Sequence, residues 1–165
     1  MLGSKLEGRW MSLCNPDYTR YSLTEHKGFL RLRPSTIDLS ETASPTFVAC
    51  RQTELNFTAK ALLDLSHLTK GMQVGITAYA APLNHYDVVA ERRNRKLFVK
   101  SNVCLGQTSY TEREFPLSAN QVYLRITSDQ NYYYMLASGM VPTSPSWQRW
   151  STDSSALKPS AALLA

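Results

Sequence analysis

Phe57-Thr58-Ala59-Lys60-Ala61-Leu62-Leu63-Asp64-Leu65 reads with a period of two: Phe57, Ala59, Ala61, Leu63 and Leu65 share one face, while Thr58, Lys60 and Asp64 share the other. Successive side chains of a strand point to opposite faces, so this pattern predicts a half-buried β-strand. The same alternation recurs along the chain. Val74, Ile76 and Ala78 oppose Gln73, Gly75 and Thr77; Tyr86, Val88 and Ala90 oppose His85, Asp87 and Glu91. Leu97 and Val99 follow, then Val103 and Leu105, and later Val122, Leu124 and Ile126 against Tyr123, Arg125 and Thr127. Turn chemistry separates the runs at Lys70-Gly71, Pro82 to Asn84, Arg92 to Arg95, Ser118 to Asn120 and Asp129 to Asn131. The best helical window, Ala61 to Leu68, fits a strand better. Many short strands with frequent turns predict an all-β, antiparallel sandwich whose sheets each present one face to a core.

At 165 residues the chain has the length of one domain with one sizeable core. A hydrophobic fraction of 43% with 19% charged residues is that of a folded globular protein rather than a disordered one. The net charge of +5 is local, because Arg92, Arg93, Arg95 and Lys96 lie in one short run. That run reads as a solvated hairpin turn, not as the broad basic face with interleaved aromatics that a nucleic-acid binder needs. No stretch approaches the apolar length of a membrane span. Residues 1–10 hold no apolar run of signal-peptide type, so the expected location is cytoplasmic, or extracellular if Met1 is not the true start. Cys14, Cys50 and Cys104 match neither a zinc pattern nor a disulfide framework and read as buried free thiols.

The chemistry-bearing residues form no catalytic set. Glycoside hydrolysis needs two carboxyl groups flanking one bond, whereas Asp17, Asp38, Asp64, Asp87, Glu112 and Glu114 occur singly, mostly in turns or on exposed strand faces. His26, His67 and His85 are widely separated and read as structural. No phosphate loop, nucleophile elbow or histidine metal pair occurs, and no cofactor is expected. The sharpest polar signature is Arg51-Gln52. It fits either a sugar or partner-domain contact, or a polar pair that satisfies neighbouring backbone groups, and the second reading is favoured.

Leu23-Thr24-Glu25, Gly28, Leu30-Arg31-Leu32, and the segment from Ser44-Pro45-Thr46-Phe47 to Arg51-Gln52 stand in one order. Together they resemble the carboxy-terminal concanavalin A-like domain of family 43 glycoside hydrolases, the β-xylosidase and α-arabinofuranosidase type. Cys50 stands where that family usually has an arginine. Tyr132-Tyr133-Tyr134 aligns with a family strand, Tyr132 and Tyr134 packing and Tyr133 on the opposite face, and Trp147 to Trp150 matches a family tryptophan. The resemblance implies a two-sheet jelly roll over residues 5–150. Residues 151–165, rich in serine, alanine and leucine, lack the family's closing glycine-rich pattern. They read as a divergent or disordered tail, which leaves a sandwich without its last one or two strands and with an open, association-prone edge.

The resemblance also implies a function. The chain would be the non-catalytic accessory module of an inverting hydrolase acting on xylan or arabinan oligosaccharides. The catalytic carboxylates would lie in a separate five-bladed propeller domain, the expected partner. A loop between two strands, here Leu68-Thr69-Lys70-Gly71-Met72, would reach over the propeller and help close its substrate pocket, with Leu68, Lys70 and Met72 as the candidate contacts. Family loops often carry an aromatic there, and this one has none between His67 and Met72. The alternative is a stand-alone, lectin-like module binding xylo- or arabino-oligosaccharides through exposed aromatics such as Tyr110, Tyr133 or Trp147.

Overall fold

A computed structural model describes residues 6, 8–139, 148–153 and 160–164. In chain order the strands are β1 (Trp10–Met11), β2 (Tyr21–Ser22), β3 (Arg31–Leu32), β4 (Phe47–Cys50), β5 (Phe57–Asp64), β6 (Gln73–Ala81) and β7 (Asn84–Arg93). They continue with β8 (Lys96–Leu105), β9 (Thr108–Leu117), β10 (Gln121–Ser128), β11 (Tyr132–Gly139), β12 (Gln148–Asp153) and β13 (Ser160–Leu164). One 3-10 turn, Tyr18–Arg20, interrupts the amino-terminal segment. No helix among the described residues is long and apolar enough to cross a membrane.

The strands form a seven-stranded sheet, ordered β1-β4-β13-β6-β7-β8-β9, and a four-stranded sheet, ordered β12-β11-β10-β5. Every pairing is antiparallel. The two sheets share one core. Ile76, Ala78, Tyr86, Val88, Ala90, Val99 and Val103 come from the larger sheet, and Leu63, Val122, Leu124, Ile126, Tyr133, Met135 and Ala137 from the smaller. These are the positions that the period-two reading assigned to one face of β5, β6, β7, β8 and β10. The chain is an all-β concanavalin A-like sandwich.

The outer face of the larger sheet is covered too. Leu39, Phe47, Ala49, Tyr79 and Val89 make a second apolar cluster, against which Leu13 packs. Gly75 sits where β6 and β7 press together: a Cβ there would lie 2.1 Å from the Val88 carbonyl oxygen. The amino-terminal signature residues anchor this cover. Glu25 bridges to Arg33 at 2.8 Å and Arg31 at 3.7 Å across the small β2–β3 hairpin. The Thr46 hydroxyl donates to the Arg33 carbonyl at 2.8 Å, and the Phe47 N–H donates to the Tyr21 hydroxyl at 3.0 Å.

Two expectations need correction. The sandwich does not lack its last strands. Residues 148–153 pair with β11, and residues 160–164 lie between β4 and β6 inside the larger sheet. Ser160-Ala161-Ala162-Leu163-Leu164 has weak strand propensity and no alternation, but a strand flanked on both sides draws its ladder from two neighbours, and that context outweighs propensity. The basic run is also mostly strand. Arg92 and Arg93 end β7, Lys96 opens β8, and only Asn94-Arg95 make the turn, with Asn94 in the left-handed region (φ 56°) that a two-residue hairpin of this hand requires.

The outer strand of the larger sheet, β9, is blunted. Pro116 cannot donate to a further strand, and a bulge sets Ser101 and Asn102 opposite Arg113 and Thr111, leaving Glu112 as the extra residue.

Candidate functional site

The sheets part beside β5, which is the outer strand of the smaller sheet. There a cleft of about 340 Å³ opens, with Trp10, Phe57, Ala59, Ala61 and Ile76 as its apolar walls. The connection from β4 to β5 forms the rim, with Arg51, Gln52, Thr53 and Glu54, and Thr58 and Lys60 complete it. Arg51-Gln52 therefore stands at a concave site, and its two side chains do different work. The Gln52 amide donates to the Glu54 carbonyl at 2.8 Å and accepts from the Tyr133 hydroxyl at 3.3 Å, so it ties the rim to the core. Burial pushes the Tyr133 phenol up from its ordinary pKa. Arg51 is exposed and makes no hydrogen bond or ion pair among the described residues.

The loop Leu68 to Met72 lies beyond the other end of β5 and does not line this cleft. Leu68 packs against the core, Met72 is half-buried, and Thr69, Lys70 and Gly71 form an exposed tip. Arg92 staples the loop from the neighbouring hairpin: its guanidinium donates to the Leu68 carbonyl at 2.5 Å and the Leu65 carbonyl at 3.4 Å. Its carbonyl accepts from Gly71 N–H at 3.0 Å. Gly71 takes φ 82°, a conformation that favours glycine. Asp64 sets the loop's start by accepting from the Ser66 N–H (2.9 Å) and hydroxyl (2.6 Å), which lowers the Asp64 pKa.

A match to the family model of the β-xylosidase C-terminal concanavalin A-like domain runs over residues 3–162, nearly the whole chain. The chain belongs to that family. A non-reducing end α-L-arabinofuranosidase of Bacteroides ovatus is 30% identical over 126 residues, which is 75% of this chain and 24% of that protein. Among solved structures, a Bacteroides ovatus xyloglucan-locus GH43B superposes with a TM-score of 0.84 at 23% identity, covering 98% of this chain and 34% of that one. The GH43 protein BlXynB of Bacillus licheniformis, as a K247S mutant, gives 0.84 at 20% identity, covering 98% and 33%. A xylan β-1,4-xylosidase of Bacillus halodurans gives 0.80 at 18%, with the same coverage. This GH43 C-terminal domain thus spans between 24% and 34% of the length of these relatives.

Within the GH43 domain, one buried polar group escaped the sequence reading. His85 and Asp87 project together from β7 onto the covered outer face, both buried, with His85 Nδ1 2.9 and 3.0 Å from the two Asp87 carboxylate oxygens. Burial alone would depress the His85 pKa; the Asp87 contact, with smaller help from Asp38 and the Pro82 carbonyl, outweighs it and raises the pKa from its ordinary value. His85 Nε2 is buried without a well-directed hydrogen bond. Asp87 is therefore not the exposed carboxylate that its place in an alternating run suggested. The signal was present, since alternation puts His85 and Asp87 on one face, but the reading took that face as solvated. Among the described residues, no three His, Cys, Asp or Glu side chains are placed to hold a metal ion.

The aromatics of the lectin alternative separate. Tyr110 is exposed on β9, whereas Tyr133 is in the core and cannot stack on a sugar. Trp147 lies outside the described residues. The tyrosine run has one inward member, Tyr133, while Tyr132 is exposed and Tyr134 half-buried. Of the three thiols only Cys104 is buried; Cys50 is half-buried and Cys14 exposed.

Proposed function

We propose that this domain is a non-catalytic accessory module of a family 43 glycoside hydrolase acting on xylan- or arabinan-type oligosaccharides, and that its Leu68–Met72 loop helps to close the substrate pocket of a separate propeller domain. The family membership over residues 3–162 carries the reading. The relatives' names, an α-L-arabinofuranosidase and a xylan β-1,4-xylosidase, supply the substrate class. Two features support the roles. Among the described residues the rim of the cleft carries one carboxylate, Glu54, where hydrolysis of a glycoside needs two. The Thr69–Gly71 tip is exposed yet held by Arg92, as a loop that must present a fixed shape to a partner should be.

The test supplies the purified chain to a family 43 propeller domain and follows nitrophenol release from xyloside and arabinofuranoside substrates. The chain alone should release none, and the propeller's rate should rise when the chain is added. Replacing Lys70-Gly71 with a longer, flexible turn should reduce that gain. Hydrolysis by the chain alone, abolished by changing a single Asp or Glu in it, would overturn the reading.

A further inference from the structure

β5 ends the smaller sheet, and its ladder runs only to β10. Among the described residues, no backbone group of Phe57–Asp64 has a hydrogen bond on the other side of the strand. In an antiparallel strand every second residue turns both its N–H and its C=O outward, so this edge offers a row of unmatched donors and acceptors. The edge also lacks the protection that the larger sheet gives its own. β1 has two residues and β9 carries Pro116 and a bulge, whereas β5 runs for eight residues with no proline and an unbroken register on β10. The cleft follows this edge. Phe57, Thr58, Ala59, Lys60 and Ala61 all border it, a continuous run that includes both parities of the strand. A wall made by one face would contribute every second residue, so the backbone edge itself faces the space. Cys50 of β4 and Ile76 of β6 stand on the side of the larger sheet.

We propose that this edge takes up an extended, acidic peptide segment of a partner polypeptide, which joins β5 as a further strand of the smaller sheet. Main-chain hydrogen bonds to β5 hold the segment. Its alternate side chains point into the cleft, where Phe57, Ala59, Ala61 and Ile76 favour apolar groups, and the side chains between them lie on the outer face beside Lys60. Lys60 sets the charge of the partner. It is exposed and makes no hydrogen bond or ion pair among the described residues. A lysine on an edge strand discourages pairing with an incoming cation and favours a carboxylate directly opposite. A strand matches the whole row of backbone groups, whereas a sugar ring spans only part of it. The inference rests on the edge of β5 and is independent of the Leu68–Met72 loop and of the substrate class.

The test follows the backbone amide resonances of the 165-residue chain while the peptide acetyl-Ser-Thr-Val-Glu-Val-Thr-Ser-amide is added. Three controls accompany it: the same peptide with lysine in place of glutamate, the same peptide N-methylated at both valines and the glutamate, and xylotriose. The glutamate peptide should shift the amides of residues 57–61, Cys50 and Ile76 saturably, about fivefold more tightly than the lysine peptide. The N-methylated peptide, which lacks the central donors, should not bind. Lys60→Glu, a change at an exposed position, should reverse the preference between the two charged peptides, with an unchanged melting curve as the control. Saturation by none of the peptides, equal binding of the N-methylated peptide, a preference that Lys60→Glu leaves as it was, or shifts at these amides with xylotriose alone would each overturn the proposal. Stimulation of a propeller on nitrophenyl glycosides reads the accessory role separately, so either idea can fail while the other stands.

Discussion

Asp87 grips His85 through both carboxylate oxygens in a place that water barely reaches, between Tyr79, which stacks on the imidazole at 5.9 Å, and the buried Cys104 thiol. A pair of this kind contributes more stability while the histidine is charged, because the neutral imidazole keeps only the hydrogen bond. The folded pKa of His85 is raised, so folded protein holds the proton in a range where unfolded chain has already lost it. The stabilisation is therefore complete below the ordinary histidine pKa of about 6.5 and is lost as pH rises through the folded value. The wild-type melting temperature should accordingly fall between pH 6 and 9. Asp87→Asn removes the countercharge and should cost about 3 kcal/mol at pH 6, by the usual penalty for breaking a buried pair, and less at pH 9. Melting curves across that range measure both, and parallel profiles for the two proteins would show that the pair does not couple to pH. This residue scale is where the sequence was least legible. Two polar residues at alternate positions of a strand look the same whether their face meets water or is covered by a distant segment, and here the segment bearing Leu13 and Leu39 supplies the cover.

Among the elements, the connection from β5 to β6 shows how a loop is fixed without secondary structure of its own. Arg92 offers its guanidinium to two carbonyls and its backbone to Gly71 and Met72, so one residue of the β7–β8 hairpin satisfies four groups of the loop. Arg92→Ala should leave those carbonyls to water, cost about 1–3 kcal/mol, and speed amide exchange at Gly71 and Met72 more than at β10. Exchange that accelerates uniformly would mean the effect is global. The alternation that fixed the core faces of β5, β6, β7, β8 and β10 was readable because each of these strands has one face turned away from the core. Arg92 was not readable as a staple, because a run of basic residues after a strand gives no sign of which carbonyls lie within reach. The same limit applies to Arg51 and Gln52: their adjacency was visible, but only the course of the β4–β5 connection shows that the amide turns toward Tyr133 while the guanidinium borders a cleft.

At the scale of the molecule, the decisive strand is β13. It returns from the smaller sheet's side of the chain to lie between β4 and β6, matching four positions of the first and five of the second. A chain ending before it would leave β4 and β6 facing each other across an empty lane, with two rows of backbone groups unmatched inside the sheet. Each net backbone hydrogen bond is worth about 0.5–1.5 kcal/mol, so losing both ladders removes an amount comparable to the whole stability of a domain, about 5–15 kcal/mol. The natural edges of the larger sheet, by contrast, are short or blunted: β1 has two residues, and β9 carries Pro116 and a bulge. The full chain should therefore melt cooperatively as a monomer, while a chain truncated after Asp153 should lose its cooperative melt and associate through the lane that β13 fills. Light scattering and thermal melting of the two proteins side by side test this. A truncated chain that stays monomeric with an unchanged melting temperature would mean that β4 and β6 hold their places without the strand between them.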